Sequence, residues 1–205
     1  HGLRNPLASI RSSAELAIDW REGPEVQELL RDIVAQTDRL EGWIRQYLTA
    51  ARGEPEGRSE PGPLLERCLA ELAPLLERHG IALERRIDPD LPAVRMNPVL
   101  LAQVVNGILA NAVEALQGPG RIRVAARRER GRVLLEIADD GPGMSAQEAA
   151  RALDPFVTGK PGGLGLGLPL AKAALERQGG TLALASRPGR GTSVTLGLLV
   201  AEEPA

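Results

Sequence analysis

Apolar residues recur along the first fifty positions with a helical rhythm. Leu3, Leu7, Ile10, Ala14 and Ala17 are spaced alternately by four and three, the seam of a coiled coil. Gly23-Pro24 breaks the pattern and places Pro24 to begin a second helix, in which Val26, Leu29 or Leu30, Ile33, Thr37, Leu40, Ile44 and Leu48 resume it. Residues 1–51 are therefore expected to form a helical hairpin. A hairpin alone buries too little apolar surface to be stable, and pairing with a second copy into a four-helix bundle solves this, so a homodimer is expected. Residues 52–62, RGEPEGRSEPG, have no apolar periodicity and read as a linker and domain boundary.

From Pro63 helical and strand patterns alternate. Leu64–Arg78 has helical spacing and stops at His79-Gly80, a cation before a C-terminal glycine. Ile81–Ile87 reads as a strand. Asn97-Pro98 is an N-cap followed by Pro at the first helical position and opens a helix through Leu116. Arg121–Arg128 and Arg132–Ala138 alternate around the turn Glu129-Arg130-Gly131. A helix over 165–178, strands over 181–186 and 192–199 and a tail at 201–205 complete the chain. The expected fold is an α-helical hairpin followed, over 63–200, by an α+β layer sandwich with a mixed sheet and helices on one face.

Composition narrows the choice of function. The 205 residues hold 25 Lys+Arg against 27 Asp+Glu, so bulk charge gives no reason to expect nucleic acid or a membrane surface as partner. Aromatics are only 2%, which leaves an aliphatic core and argues against a stacking platform for bases. Cys68 is the single cysteine and excludes a disulfide framework or a multi-cysteine metal site. No apolar run approaches the roughly 20 residues of a membrane span and no signal peptide is visible. A cytoplasmic location is expected for this piece, with membrane anchoring of a longer parent protein left open.

Candidate chemistry concentrates in the second region. Gly162-Gly163-Leu164-Gly165-Leu166-Gly167-Leu168 runs into a helix. Glycine at 163, 165 and 167 leaves closely spaced amides with no Cβ in front of them, and the helix behind adds unpaired N–H groups and the positive end of its dipole. That suits a polyphosphate. A linker would carry Ser or charge, whereas these leucines can pack beneath the loop and hold its shape. The stretch is not a P-loop, because Gly159-Lys160 is followed by Pro161, nor a dinucleotide fingerprint, because Leu168 stands at the third glycine. Asn111, on the helix opened at Pro98, offers a hard oxygen to Mg²⁺. Asp139-Asp140-Gly141-Pro142-Gly143-Met144 places a carboxylate at a strand end, where it can accept a hydrogen bond from an exocyclic amine. Asp154-Pro155-Phe156 carries the only Phe as an apolar latch, and Lys160 follows where it could meet a phosphate. The stretch between Gly141 and Gly163 has little periodicity and the length of a lid. Gly189-Arg190-Gly191-Thr192 precedes the last strand. Taken singly, the glycine stretch reads equally well as a hinge, Asn111 reads better as an exposed helix position, and Asp139-Asp140-Gly141 can be an ordinary turn.

Their order discriminates. Asn111, then Asp139-x-Gly-x-Gly, Asp-Pro-Phe, Gly-x-Gly-x-Gly and Gly-x-Gly-Thr resembles the ATP-binding domain shared by sensor histidine kinases, gyrase, the Hsp90 chaperones and mismatch-repair ATPases, over roughly residues 64–199. The resemblance implies ATP and Mg²⁺ as cofactors, with Asn111 on the metal, Asp139 on the adenine amine, Gly141 and Gly143 shaping the adenine pocket, and Gly163, Gly165 and Gly167 over the phosphates. Phe156, Lys160, Leu168 and Thr192 complete the implied nucleotide site. His1-Gly2-Leu3-Arg4-Asn5-Pro6-Leu7 looks like the H-box of two-component sensor histidine kinases, His-(Glu/Asp)-x-x-(Asn/Thr)-Pro-Leu, and Asn-Pro-Leu together with Glu114-Ala115 is similar to the nitrogen-regulation type. The implied reaction transfers the ATP γ-phosphoryl group to His1 and then to an aspartate of a response regulator. Asn5 stands at the position the family links to phosphatase activity. A neutral imidazole, nucleophilic near pH 7, fits the acceptor role.

Three departures qualify the resemblance. The family's acidic residue after the His is Gly2 here, and loss of a general base typically costs about 10²–10⁴-fold in rate. Gly107, one turn before Asn111, replaces an Asn frequent in the kinases, with Asn106 adjacent; the related hydrolases place a water-activating Glu there, so attack by water is disfavoured. Leu164 stands where Thr or Ser is common. A kinase weak in the forward direction and biased toward dephosphorylation is expected. The competing readings are a nucleotide-binding pseudokinase acting as a dimeric interaction module, and an ATPase of the same fold.

Overall fold

A computed structural model describes residues 57–155, 157, 165 and 167–202, together with Ala14, Val26, Gln27, Leu30, Arg31, Ile33, Val34, Thr37 and Asp38. The chain divides into two compact units, His1–Glu54 and Pro55–Ala205. In the first unit every described residue is helical. Ala14 and Thr37, both at positions of the coiled-coil rhythm, are buried, and the Thr37 hydroxyl donates back to the Ile33 carbonyl at 2.8 Å. Val26 is exposed. Leu30 and Ile33, also on that rhythm, are half-buried, and its other positions lie outside the described residues.

The second unit begins earlier than its hydrophobic pattern does. Residues 58–62, within the expected linker, form a short strand β1 (Arg58–Ser59) and the first turn of helix α1 (Pro61–His79). No apolar alternation announces β1. It is held by antiparallel pairing with β3 (Val94–Arg95) and by the Ser59 hydroxyl, which donates to the Met96 carbonyl. Pro61 supplies α1 with a proline in its first turn, and the helix ends as expected at Gly80, whose φ of 65° is the left-handed cap conformation.

The elements that follow are β2 (Ile81–Ile87), β3, α2 (Pro98–Leu116), β4 (Gly120–Glu129), β5 (Arg132–Asp139), α3 (Ala146–Arg151), α4 (Gly167–Arg177), β6 (Thr181–Ser186) and β7 (Thr192–Leu199). Five strands form one sheet in the order β2-β4-β5-β7-β6. β2 and β4 run parallel and the other pairs antiparallel, so the sheet is mixed as expected. The register aligns Val124, Ile137, Val194 and Leu184 in one row, and Ala126, Leu135, Leu196 and Leu182 in the next. These side chains face the core, which α1, α2 and α4 close by packing on β2, on β4 and β5, and on β6 respectively. The opposite face carries the alternate, more polar residues, including Arg121, Arg123, Glu136 and Thr195.

α2 is long and apolar enough, by length and composition, to cross a membrane, contrary to the expectation that no stretch would be. Here Leu101, Val104, Val105, Ile108, Leu109, Ala112 and Val113 are buried in the core instead. Its start is the one read from the sequence: the Asn97 side chain accepts from the Val99 and Leu100 amides at 2.9 and 3.3 Å.

Candidate functional site

Three neighbouring strands carry their apolar rows to the same edge and end there in polar residues. Two positions beyond Ile137, before Val194 and beyond Leu184 on the core face stand Asp139, Thr192 and Ser186, with Ser186 and Thr192 paired in the ladder. Asp139 is only 7% exposed. Its Oδ1 accepts from the Gly141 amide at 2.9 Å and the Thr192 amide at 3.2 Å. Among the described residues Oδ2 has no hydrogen-bond partner. Burial pushes the Asp139 carboxyl above its usual range, the two amides pull it back, and the neighbouring charge of Asp140 raises it again. The result is a carboxylate with one oxygen pinned by backbone and the other free to accept from a ligand amine.

The cradle around it is made of backbone. Gly143 has φ 66°, and a Cβ there would stand 2.0 Å from the Arg187 carbonyl oxygen. Gly191 has φ 75°, and a Cβ there would stand 1.9 Å from the carbonyl oxygen of Asp139 itself. The turns 141–144 and 187–191 are stitched together by Gly189 N–H donating to the Pro142 carbonyl at 2.7 Å and by Met144 N–H donating to the Ser186 hydroxyl at 2.8 Å. Gly143 thus stands where the backbone leaves no room for a Cβ. Gly191 and Ser186 had not been singled out for any role of their own. The only local signal for Ser186 is a hydroxyl at the core-facing end of Leu182, Leu184, Ser186, where a third apolar residue would continue the pattern.

Helix α2 borders this turn: a Cβ on Gly141 would lie 3.4 Å from the Ala115 carbonyl oxygen. Asn111 is one turn earlier on the same helix stripe, half-buried, with no side-chain hydrogen bond to another described residue. Its amide oxygen is thus available to a ligand. Gly107, a further turn back, brings no side chain to that stripe.

The segment expected to be a featureless lid is partly regular. Ser145 accepts from the Glu148 amide at 3.2 Å while Glu148 accepts from the Ser145 amide at 2.8 Å, a capping box that opens α3. The Ser-x-x-Glu spacing was readable in the sequence. α3 has no buried residue, so no apolar periodicity accompanied it. In the glycine-rich stretch Gly165 has φ 62°, and a Cβ there would come within 2.4 Å of the Val157 carbonyl oxygen. Gly167 opens α4, which packs beside α2, and Leu168 packs against the hydrophobic core beneath it. The structure thus brings Asp139, Gly141, Gly143 and Thr192 together at one edge of the sheet, with Asn111 on the helix beside them. His1, Gly2, Asn5, Phe156, Lys160, Gly163 and Leu164 lie outside the described residues.

Two families match the chain: His Kinase A (phospho-acceptor) domain over residues 1–56 and Histidine kinase-, DNA gyrase B-, and HSP90-like ATPase over residues 96–202. Sensory histidine kinase/phosphatase NtrB of Vibrio alginolyticus is 28% identical over 204 residues, covering 94% of this chain and 58% of that protein. C4-dicarboxylate transport sensor protein DctS of Rhodobacter capsulatus is 31% identical and covers all of this chain but 33% of its own length. The chain thus spans from a third to rather more than half of these relatives. Among solved structures, full-length ShkA in complex with AMPPNP shares 24% identity with a TM-score of 0.69, over 100% of this chain and 46% of that one. Histidine kinase ThkA in complex with response regulator protein TrrA shares 18% identity with a TM-score of 0.70, over 98% and 59%. At these identities the two structures speak to the fold. The ATPase family covers more than half of the chain, its sheet edge carries the Asp139 cradle, and the phospho-acceptor match precedes it; the chain belongs to the histidine kinase-, DNA gyrase B- and HSP90-like ATPases and, within them, to the sensor histidine kinases.

Proposed function

We propose that this chain is the catalytic core of a sensor histidine kinase that moves the γ-phosphoryl group of ATP to His1 and then to an aspartate of a response-regulator protein. The observation that carries the nucleotide part is Asp139, a buried carboxylate whose Oδ1 is held by the Gly141 and Thr192 amides while Oδ2 has no partner among the described residues. That arrangement suits the exocyclic amine of adenine. ATP is also supported by the ATPase family match and by the ShkA complex with AMPPNP. The phospho-acceptor part rests on the match over residues 1–56, which includes His1.

In this reading Gly141, Gly143 and Thr192 frame the base. Phe156, Lys160, Gly163, Gly165, Gly167 and Leu168 belong to the loop and helix start that cover the phosphates, where α4 offers unpaired N–H groups. Asn111, half-buried with a free amide oxygen, fits as a ligand to Mg²⁺, which takes few protein ligands when phosphates supply the rest. Bound there, the metal would neutralise phosphate charge. The imidazole nitrogen of His1 forms a bond to the γ-phosphorus as the bond to the β-γ bridging oxygen breaks and ADP leaves. Gly2 has no side chain to take up the imidazole proton, so the forward rate is low. Asn5 serves the phosphatase activity, in which water takes the phosphoryl group from the regulator's aspartate and phosphate leaves. Gly107 beside Asn111 supplies no carboxylate to activate water, which favours transfer over ATP hydrolysis.

Residues 1–51 pair with a second copy as the dimerisation and phosphoacceptor hairpin, and their surface near His1 receives the response regulator, as the ThkA complex with TrrA supports. Residues 63–200 bind ATP, and the protein works in the cytoplasm. The test is incubation of the chain, extended before His1, with γ-labelled ATP and Mg²⁺, beside His1→Gln. Acid-labile, base-stable label that the substitution removes is the expected result. Tight ATP binding with no label in either protein would overturn the kinase reading in favour of a pseudokinase, the alternative that Gly2 favours.

A further inference from the structure

Ser186 sits behind Thr192 and makes three contacts. Its Oγ lies 2.8 Å from the Met144 nitrogen, 3.0 Å from the Gly191 carbonyl oxygen and 3.0 Å from Thr192 Oγ1. A hydroxyl has one proton to give and two lone pairs to accept with. The Met144 amide can only donate and the Gly191 carbonyl can only accept, so the one Ser186 proton goes to Gly191. With the Ser186 proton on Gly191, the third contact is made by Thr192 donating its proton to Ser186. With that proton turned inward, Thr192 Oγ1 retains only lone pairs for a ligand. Beside it, Asp139 Oδ1 is occupied by the Gly141 and Thr192 amides, and the ionised Oδ2 also only accepts.

We infer that Ser186 is a specificity-determining positioning residue: by taking the Thr192 proton it makes this end of the site acceptor-only, selecting a 6-amino purine over a 6-oxo purine. The inference rests on the reading of Asp139 as the base-binding carboxylate. A 6-amino group brings two donors to two acceptors. A 6-oxo group brings lone pairs against lone pairs, and the loss of even one hydrogen bond with an unpaired acceptor opposite it is worth about tenfold in affinity. The same hydroxyl ties the turn 141–144 to the turn 187–191, so Ser186 also holds the two acceptors in register. Removing it frees the Thr192 hydroxyl to turn its proton toward the ligand, where it can meet a 6-oxo group.

The test is the ratio of Kd values for ITP and ATP, measured with Mg²⁺ by calorimetry on the full chain, for the unaltered protein and for Ser186→Ala, Ser186→Thr and Asp139→Asn. The ratio is internal to each protein, so a partly unfolded sample does not distort it. The expected result is a preference for ATP that falls about tenfold in Ser186→Ala, returns in Ser186→Thr, and collapses in Asp139→Asn, whose amide presents a donor. A ratio lost in Asp139→Asn but unchanged in Ser186→Ala overturns the inference alone, because Ser186 would then be structural only. A ratio unchanged in Asp139→Asn overturns the base-binding reading, and the inference with it.

Discussion

At the end of β5 two consecutive aspartates face different surroundings. Asp139 lies on the core face, 7% exposed, and uses backbone amides from two turns to hold one oxygen. Asp140 is exposed, and its Oδ1 accepts from the Arg121 amide at 2.7 Å while its own amide donates to the Arg121 carbonyl at 3.2 Å, which extends the β4–β5 ladder by one rung. The side chains are identical. The alternation of the strand decides that one is desolvated and available to a ligand while the other is solvated and occupied by the fold. In the proposed reading Asp139 recognises the base because its burial is only partly offset by hydrogen bonds from the described residues, which leaves an acceptor to be satisfied from outside.

The comparison can be broken most severely at Gly191. Ala at 191 drives a Cβ into the carbonyl of Asp139 at a positive φ, and the expected cost is about 3 kcal/mol, a fall of roughly 10 °C in Tm, with ATP binding lost. Thermal unfolding with and without ATP checks it; an unchanged Tm would mean that the cradle is not built of rigid backbone. Next in size, Asp139→Asn should weaken ATP about 10- to 100-fold by calorimetry, because it places a donor opposite the amine.

The sign of the accompanying stability change separates the two aspartates further. The native Asp139 carboxyl titrates above its unfolded value of 3.8, so the native state holds the proton more tightly than the unfolded chain does. That stabilisation is present at low pH and is lost as pH rises from the ordinary range through the raised value. At neutral pH an ionised Asp139 therefore costs stability, and Asp139→Asn without nucleotide should melt no lower than the unaltered protein. Binding has the opposite sign. ATP affinity should be flat above the raised value and fall up to tenfold per pH unit below it, a dependence that Asp139→Asn should flatten in calorimetry across acidic pH. The smallest effect is expected at Asp140: Ala there should cost about 1 kcal/mol in denaturant unfolding and leave the Kd for ATP within about threefold. A large loss of ATP binding in Asp140→Ala would erase the distinction between the two.

Much of this was legible along the chain. Asn97-Pro98 and His79-Gly80 mark helix ends because caps act within a few residues of the groups they satisfy. Val133, Leu135 and Ile137 show which face of β5 is buried, and a period of two carries Asp139 onto it. The order of Asn111, Asp139, the glycine-rich stretch and Thr192 pointed to an ATP site before any contact was known. Two features stayed hidden for different reasons. β1 is two residues long and exists only because β3 and the Ser59–Met96 bond hold it. α3 buries nothing, so its capping box had no apolar stripe to support it.

The sequence by itself determined the elements, their alternation and the residues able to do chemistry, because propensity, capping and burial period are set by near neighbours. Only the tertiary structure decided that Met144 would bond a hydroxyl 42 residues away, that Thr192 would donate to a carboxylate 53 residues before it, and that Gly191 would lie against Asp139. Those contacts depend on which turns the sheet order brings to one edge, and no local pattern encodes that meeting. The acceptor-only edge of the site belongs to this second kind: it follows from counting protons among groups that are neighbours in space alone.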